Sequence, residues 1–405
     1  MLTVAQALDE ISQRVATSPP QLVSLDEALG RVLAEPVVST IDSPPFDKAL
    51  MDGFAVRSHD LVDGAGRLEV VEEVTAGRIA SASISCGQAI QIMTGAPIPD
   101  GADAVVRVED TQVDTEDDAT WVQIQSSPVK AGQDMIKRGT SMTSGDVVLE
   151  AGRRVGPPEM GLLAELGQHQ LSVTSQVTVG ILATGDELVT IDQEPGPGQI
   201  RNSNETMLSA QARSCGALVR TLGIARDTPD HLAEKIAEGL SCDVLLLSGG
   251  VSAGRLDLVP SQLEAAGVKE IFHKVQIKPG KPLWFGTAPG TLVFGLPGNP
   301  VSSMVCFELF VRTALERLSG LAHAGPRPVR AKLGVAFSTR GNRPTYYPAQ
   351  LVDDLDGPRI TPVNWHGSSD LRSTADANAM IHFPAGDLGY EAGDLVDAYR
   401  WSGQY

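Results

Sequence analysis

At 405 residues the chain exceeds one ordinary hydrophobic core and implies two to four domains. Its composition is that of a globular protein, 42% hydrophobic and 20% charged, with no apolar run of the roughly 18 residues a membrane helix needs. A formal net charge of −18 argues against nucleic acid or a membrane surface as partner, because such binders present a basic face. Four single cysteines, Cys86, Cys215, Cys242 and Cys306, form no CxxC pair. That speaks against a zinc site or disulfide framework and for a reducing, cytoplasmic compartment.

In chain order, residues 3–16 and about 24–30 read as two amphipathic helices, and the start is not that of a signal peptide. From about 41 to 144 short strand-like runs such as LEVVEEV, AIQIM, AVVRVED and TWVQIQ alternate with turns, predicting an inserted β-rich domain. Residues 145–175 hold a short strand and a helix with Pro157 near its start. From 176 to 322 strand and helix alternate: VTVGILA, NETMLSAQARSCGA, LVRTLGI, HLAEKIAEGL, DVLLLS, LDLVPSQLEAAG, TLVFG, then the long helix VSSMVCFELFVRTALERLSG. Near-continuous apolar strands in such alternation predict an α/β domain with a doubly wound, mostly parallel sheet. Residues 323–405 return to β-type alternation and form a C-terminal β domain. The fold class is therefore multidomain α/β.

In an open α/β sheet, ligands bind beyond the carboxyl ends of the strands. Three glycine-rich loops follow strands here: Thr184-Gly185-Asp186-Glu187-Leu188, Ser248-Gly249-Gly250-Val251-Ser252-Ala253-Gly254, and Gly295-Leu296-Pro297-Gly298-Asn299-Pro300-Val301-Ser302. Glycine allows close backbone approach, and a helix N-terminus offers free N–H groups and a positive dipole end. Each such end contributes only about 0.3–2 kcal/mol per charge, so several must converge to hold a phosphorylated ligand. Lys278-Pro279-Gly280-Lys281-Pro282 supplies two cations around a stiff turn. Asp186, Glu187 and Asp257 put acids beside these loops, the pattern of a divalent cation, Mg2+, bridging protein and phosphate. Helix capping is the competing role for Asp257. Pro45-Phe46-Asp47-Lys48-Ala49-Leu50-Met51-Asp52-Gly53 and Met93-Thr94-Gly95-Ala96-Pro97 read as structural turns, and His366 sits in a turn-rich stretch that can line a pocket. No P-loop, GxGxxG or HExxH pattern occurs.

Taken in series, PxxDxxxMDGFAV, MTGAPxPxGAD, TGDEL, the stretch from Gly198 to Asn204, SGGVSxGxxD, KPGKP and GLPGNPVS resemble the MoeA and gephyrin E-region family, molybdopterin molybdenumtransferases, over essentially the whole chain. The resemblance implies four domains, the first a helical/β domain assembled from residues 1–40 and 145–175, a homodimer with its cleft between subunits, and the conversion of adenylylated molybdopterin and molybdate into molybdenum cofactor and AMP with a divalent cation. It further suggests contact with the adenylyltransferase of the same pathway. By motif position it implies activity-linked roles for Asp52, Thr94, Glu187, Asp243 and Asp257, and anion binding by Ser252, Lys278, Lys281 and Ser302. Pro297 and Pro300 match its proline loop, and Arg343 and Ser368 match an arginine and a serine tied to the oxyanion. The chain departs from the pattern at Ala49-Leu50, at Thr140-Ser141 where an acidic pair is common, at Arg201-Asn202 in place of Tyr-Asp, and at Pro348 where an arginine is usual. Two other readings remain: a molybdopterin adenylyltransferase-like enzyme, whose second loop carries Gly-Gly-Thr-Gly, and a non-catalytic gephyrin-like scaffold.

Overall fold

The structure, a computed structural model, describes residues 1–251 and 258–403. It divides into two compact units, one of Met1–Glu35, Ala151–Met160 and His169–Tyr405, the other of Pro36–Glu150 and Gly161–Gln168.

The larger unit is built on a six-stranded sheet. Its strands are β1 (Thr178–Thr184), β2 (Leu218–Ala225), β3 (Val244–Ser248), β4 (Lys269–His273), β5 (Trp284–Ala288) and β6 (Thr291–Leu296), in spatial order β2-β1-β3-β6-β5-β4. The first four in that order run parallel; β5 and β4 complete the sheet antiparallel. The apolar runs are continuous because both faces are covered. Ile181, Leu246 and Phe294 point into one core, with Leu208 and Ala212 of α1 (Ser203–Ser214) and Val301 and Val305 of α4 (Pro300–Cys306). Their neighbours Leu182, Leu245, Leu247 and Val293 point into the other, with Leu232 and Ile236 of α2 (Pro229–Gly239) and Val259 and Leu263 of α3 (Val259–Ala265). Each such side chain contributes about 1.5–3 kcal/mol on full burial, which pins the strand register and hence the loops at the strand ends.

The expected long final helix is present but interrupted: α4 passes into a π-turn at Phe307–Val311 and resumes as α-helix at Arg312–Leu318. Five strands, β7 (Pro328–Leu333), β8 (Thr345–Val352), β9 (Arg359–Pro362), β10 (Ala379–Phe383) and β11 (Leu395–Arg400), close into a barrel in the order β7-β9-β8-β10-β11. The departure Pro348 lies within β8.

At the N-terminus, Thr3 and Gln6 form a reciprocal cap on the helix Val4–Ser12, whose Ala7 and Ile11 join the first core. The second helix expected at 24–30 does not form. Pro20–Ser24 is a strand paired antiparallel with Gln170–Thr174, followed by a single 3-10 turn at Leu25–Glu27. Ser24 and Glu27 do cap each other, but Gly30 adopts φ 78 three residues on and ends the turn.

The smaller unit has its own six-stranded sheet, in the order Ala104–Arg107, Gly53–Val56, Gln88–Ile92, Ala65–Val74, Ala119–Gln125 and Thr111–Glu116. Phe54, Val56, Val106 and Val122 fill one face, and Ala55, Ile90, Ile92 and Val105 the other. Ala49 is buried in the second of these clusters, where there is no room for a longer polar side chain without displacing apolar contacts.

Candidate functional site

The carboxyl ends of the parallel strands in the larger unit surround a cavity of about 680 Å³. Its wall takes in Thr184, Gly185 and Glu187 after β1, Asp227 after β2, Ser248 to Val251 after β3, and Pro297 to Pro300 after β6. All three loops picked out by their glycines therefore meet in one hollow.

The glycines permit that meeting. Gly249 has φ 96, and a Cβ there would sit 2.6 Å from the Thr184 carbonyl oxygen, so the second loop rests on the backbone of the first. A Cβ on Gly298 would be 3.8 Å from Gly249 Cα, which brings the third loop against the second. Gly185 has φ 143, and a Cβ there would lie 2.5 Å from the Glu187 carboxylate, which folds back over it. Gly250 also has a positive φ, at 63.

Asn204, from α1, ties the loops together. Its amide donates to Ser248 Oγ at 2.7 Å and to the Gly298 carbonyl at 2.8 Å. This residue belongs to the Gly198–Asn204 stretch, yet only the fold reveals its place between two strand ends. Asn204 Oδ1 and Thr184 Oγ1 are buried without a hydrogen-bond partner among the described residues, the kind of group a bound polar ligand or water completes.

Asn299 is the N-cap residue of α4, Pro300 its first residue, and the Ser303 hydroxyl donates back to the Pro297 carbonyl. Asn299 also donates to Ser368 Oγ at 3.0 Å, and the Val301 amide donates to the Ser368 carbonyl at 3.0 Å. Ser368 is thus fastened to the proline loop, and its neighbour Ser369 reaches the cavity wall. Ser302 is placed differently from the expectation. It is 4% exposed and is not part of the cavity wall.

Lys278 and Lys281 flank Gly280, whose φ of 107 and close approach to Cys306 Sγ, 2.5 Å from a Cβ built there, shape the turn. Both lysines are exposed, and no ion pair involves either among the described residues. Pro282 of the same turn lines the cavity, while the lysines stand outside its wall. Arg343 donates to the Ile277 carbonyl at 2.9 Å, and the Lys278 amide to the Pro344 carbonyl at 2.9 Å. The barrel's arginine is in this way held beside the lysine turn.

Asp227 is a functional candidate the sequence reading missed. It follows β2 and carries no glycine signature; its amide donates to the Asp186 carboxylate at 3.2 Å. Partial burial raises its carboxyl above the usual carboxylate range, and the charges of Asp186 and Glu187 raise it further. Asp243 shows the converse. It precedes β3 and sits at the opposite edge of the sheet, about 16 Å from Ser248 at 3.3 Å per residue. There its carboxylate accepts from the Thr178 amide and hydroxyl, each at 2.7 Å, and clamps β3 to β1. It is not part of the cavity wall. Ser252 and Asp257 lie outside the described residues.

Asp186, Glu187 and Asp227 bring three acids to one side of this region. Among the described residues, however, no three acidic, histidine or cysteine side chains are grouped closely enough to hold a metal ion. His366 is exposed and bonded to Asp370 at 3.1 Å, away from the wall. The departure Arg201 does reach the wall and donates to the Gln193 carbonyl at 3.2 Å.

In the smaller unit, the Asp52 carboxylate accepts from the Thr94 amide at 2.6 Å and hydroxyl at 2.7 Å. These bonds hold the Asp52 carboxyl below its ordinary range and keep it ionised on an exposed turn. Of the other departures, Thr140 donates to the Lys137 carbonyl at 2.6 Å and the Ser141 amide to the Ser43 carbonyl at 2.8 Å.

Three family descriptions match in succession: MoeA N-terminal region (domain I and II) at residues 2–167, probable molybdopterin binding domain at 180–317, and MoeA C-terminal region (domain IV) at 330–401. The chain belongs to the MoeA family. Among curated relatives, a protein named molybdopterin molybdenumtransferase from Staphylococcus epidermidis is 34% identical over 98% of this chain and 94% of its own. One of the same name from Staphylococcus aureus is 33% identical over the same shares. A solved structure of the molybdopterin biosynthesis MoeA protein from Pyrococcus horikoshii superposes with a TM-score of 0.84 at 30% identity, covering 99% of this chain and 100% of that one. The fold and the transferase class of molybdenum-cofactor synthesis are thereby established for this MoeA-family chain.

Proposed function

We propose that this chain is a molybdopterin molybdenumtransferase that takes adenylylated molybdopterin and molybdate and releases molybdenum cofactor and AMP. The observation that carries the reading is the single cavity onto which the loops at 184–188, 248–251 and 297–300 all open, with Asn204 tying two of them together.

The phosphate-bearing ligand lies over these loops. Backbone N–H groups near Gly249 and Gly250 and the start of α4 face its phosphate oxygens, as suits a site that must hold negative charge in an acidic protein. Molybdate, a dianion, is drawn to Lys278, Lys281 and Arg343, with Ser368 as a hydroxyl donor. Among the described residues neither lysine is engaged by a protein carboxylate, so their charge is available to it. Asp186 and Glu187, together with Asp257, which lies outside the described residues, would hold Mg2+, which would supply charge neutralisation at the phosphate link. The Asp52–Thr94 pair completes the cleft from a second subunit of a homodimer. The further division into four domains, an encounter with the adenylyltransferase that makes the substrate, and a cytoplasmic location belong to the same proposal.

The test is a purified-component assay following AMP release from adenylylated molybdopterin with molybdate and magnesium. Molybdate-dependent AMP release that collapses in Lys281→Ala supports the reading. Accumulation of adenylylated molybdopterin from molybdopterin and ATP would instead identify an adenylyltransferase.

A further inference from the structure

A second hollow of about 680 Å³ in the larger unit has a different character. Six arginines, Arg31, Arg154, Arg213, Arg312, Arg327 and Arg400, contribute to its wall, against one carboxylate, Glu316. The chain as a whole has 32 basic and 50 acidic residues, so a hollow with this balance runs against the composition.

Pairing sorts the six. Arg312 is neutralised by Glu308 and Glu316, and Arg400 by Asp353. Arg31 donates to the Thr174 carbonyl at 2.9 Å and Arg154 to the Gly30 carbonyl at 2.7 Å, contacts that fix the guanidinium groups without cancelling their charge. Arg213 and Arg327 are exposed and have no hydrogen-bond or ion-pair partner among the described residues. Four guanidinium groups of like charge therefore share one concavity with no carboxylate joined to them. Such an arrangement costs free energy in the empty protein, and a bound anion removes that cost.

We propose that this hollow is a second anion site, separate from the loop-lined cavity, for a small molecule carrying two or more linked phosphates. Arginine forks match phosphate oxygens two at a time, and four positive charges are balanced more fully by linked phosphates than by one orthophosphate. The wall at Trp401 adds a buried indole N–H with no partner among the described residues. Inorganic pyrophosphate and a nucleoside diphosphate offer the same linked phosphates, and the experiment separates them.

Isothermal titration at fixed ionic strength, without molybdopterin or molybdate, compares pyrophosphate, ADP and orthophosphate on the full chain. Wild-type protein and Lys281→Ala should bind pyrophosphate alike at this site, and the Arg213→Ala/Arg327→Ala double variant should bind it about 10-fold or more weakly. Arg213→Lys/Arg327→Lys keeps the charge but loses the fork, so it should fall between them with native circular dichroism. ADP binding more tightly than pyrophosphate assigns the site to nucleotides; equal affinities assign it to the linked phosphates alone. Unchanged pyrophosphate affinity in the double alanine variant, or orthophosphate binding as tightly as pyrophosphate, overturns the proposal. Because turnover is not the readout, failure here leaves the transferase assignment untouched.

Discussion

Replacing Asn204 by alanine removes the tie between the second and third loops. The variant loses two buried hydrogen bonds, to Ser248 Oγ and the Gly298 carbonyl, at 2.7 and 2.8 Å. Each such bond contributes about 0.5–1.5 kcal/mol net, so the direct loss is about 1–3 kcal/mol, more if the Gly298 carbonyl stays dry. At about 2–4 °C per kcal/mol for a unit of this size, the unfolding midpoint should fall by roughly 2–12 °C. The functional loss should exceed the stability loss, because the untied loops also line the cavity. We expect kcat/KM for adenylylated molybdopterin to fall by about 10-fold or more at a temperature where the variant is fully folded. Asn204→Asp should be worse than alanine, since a carboxylate would face the Gly298 carbonyl in place of an amide donor. Scanning calorimetry and the AMP-release assay on both variants make the test. An Asn204→Ala protein with wild-type midpoint and wild-type kcat/KM would refute the assignment of Asn204 as the common anchor.

Asp243→Asn should destabilise the larger unit by about 1.5–3 kcal/mol through the weakened clamp on Thr178, while the folded enzyme keeps its kcat/KM; lost turnover with unchanged stability would restore a catalytic role. Lys281→Ala should leave the unfolding midpoint unchanged, because the side chain is exposed and unpaired among the described residues, yet raise the KM for molybdate about 10-fold or more. For Asp227 the sign is fixed by its raised carboxyl: the folded state holds the proton more tightly than the unfolded chain. The ionised group therefore opposes folding at pH 7, and the penalty disappears as pH falls below the ordinary carboxylate range. Asp227→Asn should raise the unfolding midpoint at pH 7 and raise it less at pH 3.5, with reduced turnover. A gain that is equal at both pH values would show that its charge is not the cause.

The sheet and its three loops were legible because each signal was local. VTVGILA, DVLLLS and TLVFG are apolar without alternation, and a glycine cluster follows each, so strand, end and loop sit within a dozen residues of one another. The strand at Pro20–Ser24 was not legible. Its partner, Gln170–Thr174, lies 150 residues away, and the Ser24–Glu27 cap imitates a helix start. Asp227 and Asp243 expose the same limit at the site. Both are aspartates next to a buried strand, and only strand direction distinguishes them: Asp227 follows β2 and reaches the cavity edge, whereas Asp243 precedes β3 and lies at the far edge. Ser302 and Ser303 are neighbours and both are buried, and only the structure shows that Ser303 is the one that bonds the Pro297 carbonyl. The arginine hollow has no motif at all, since its lining comes from six separated stretches of chain.

The most direct measurement is a crystal structure of the protein soaked with adenylylated molybdopterin. Difference density for the phosphate link should fill the hollow bounded by Gly185, Gly249 and Gly298, within hydrogen-bond reach of main-chain N–H groups. Density for the ligand at any other place, with that hollow holding only solvent, would contradict the account.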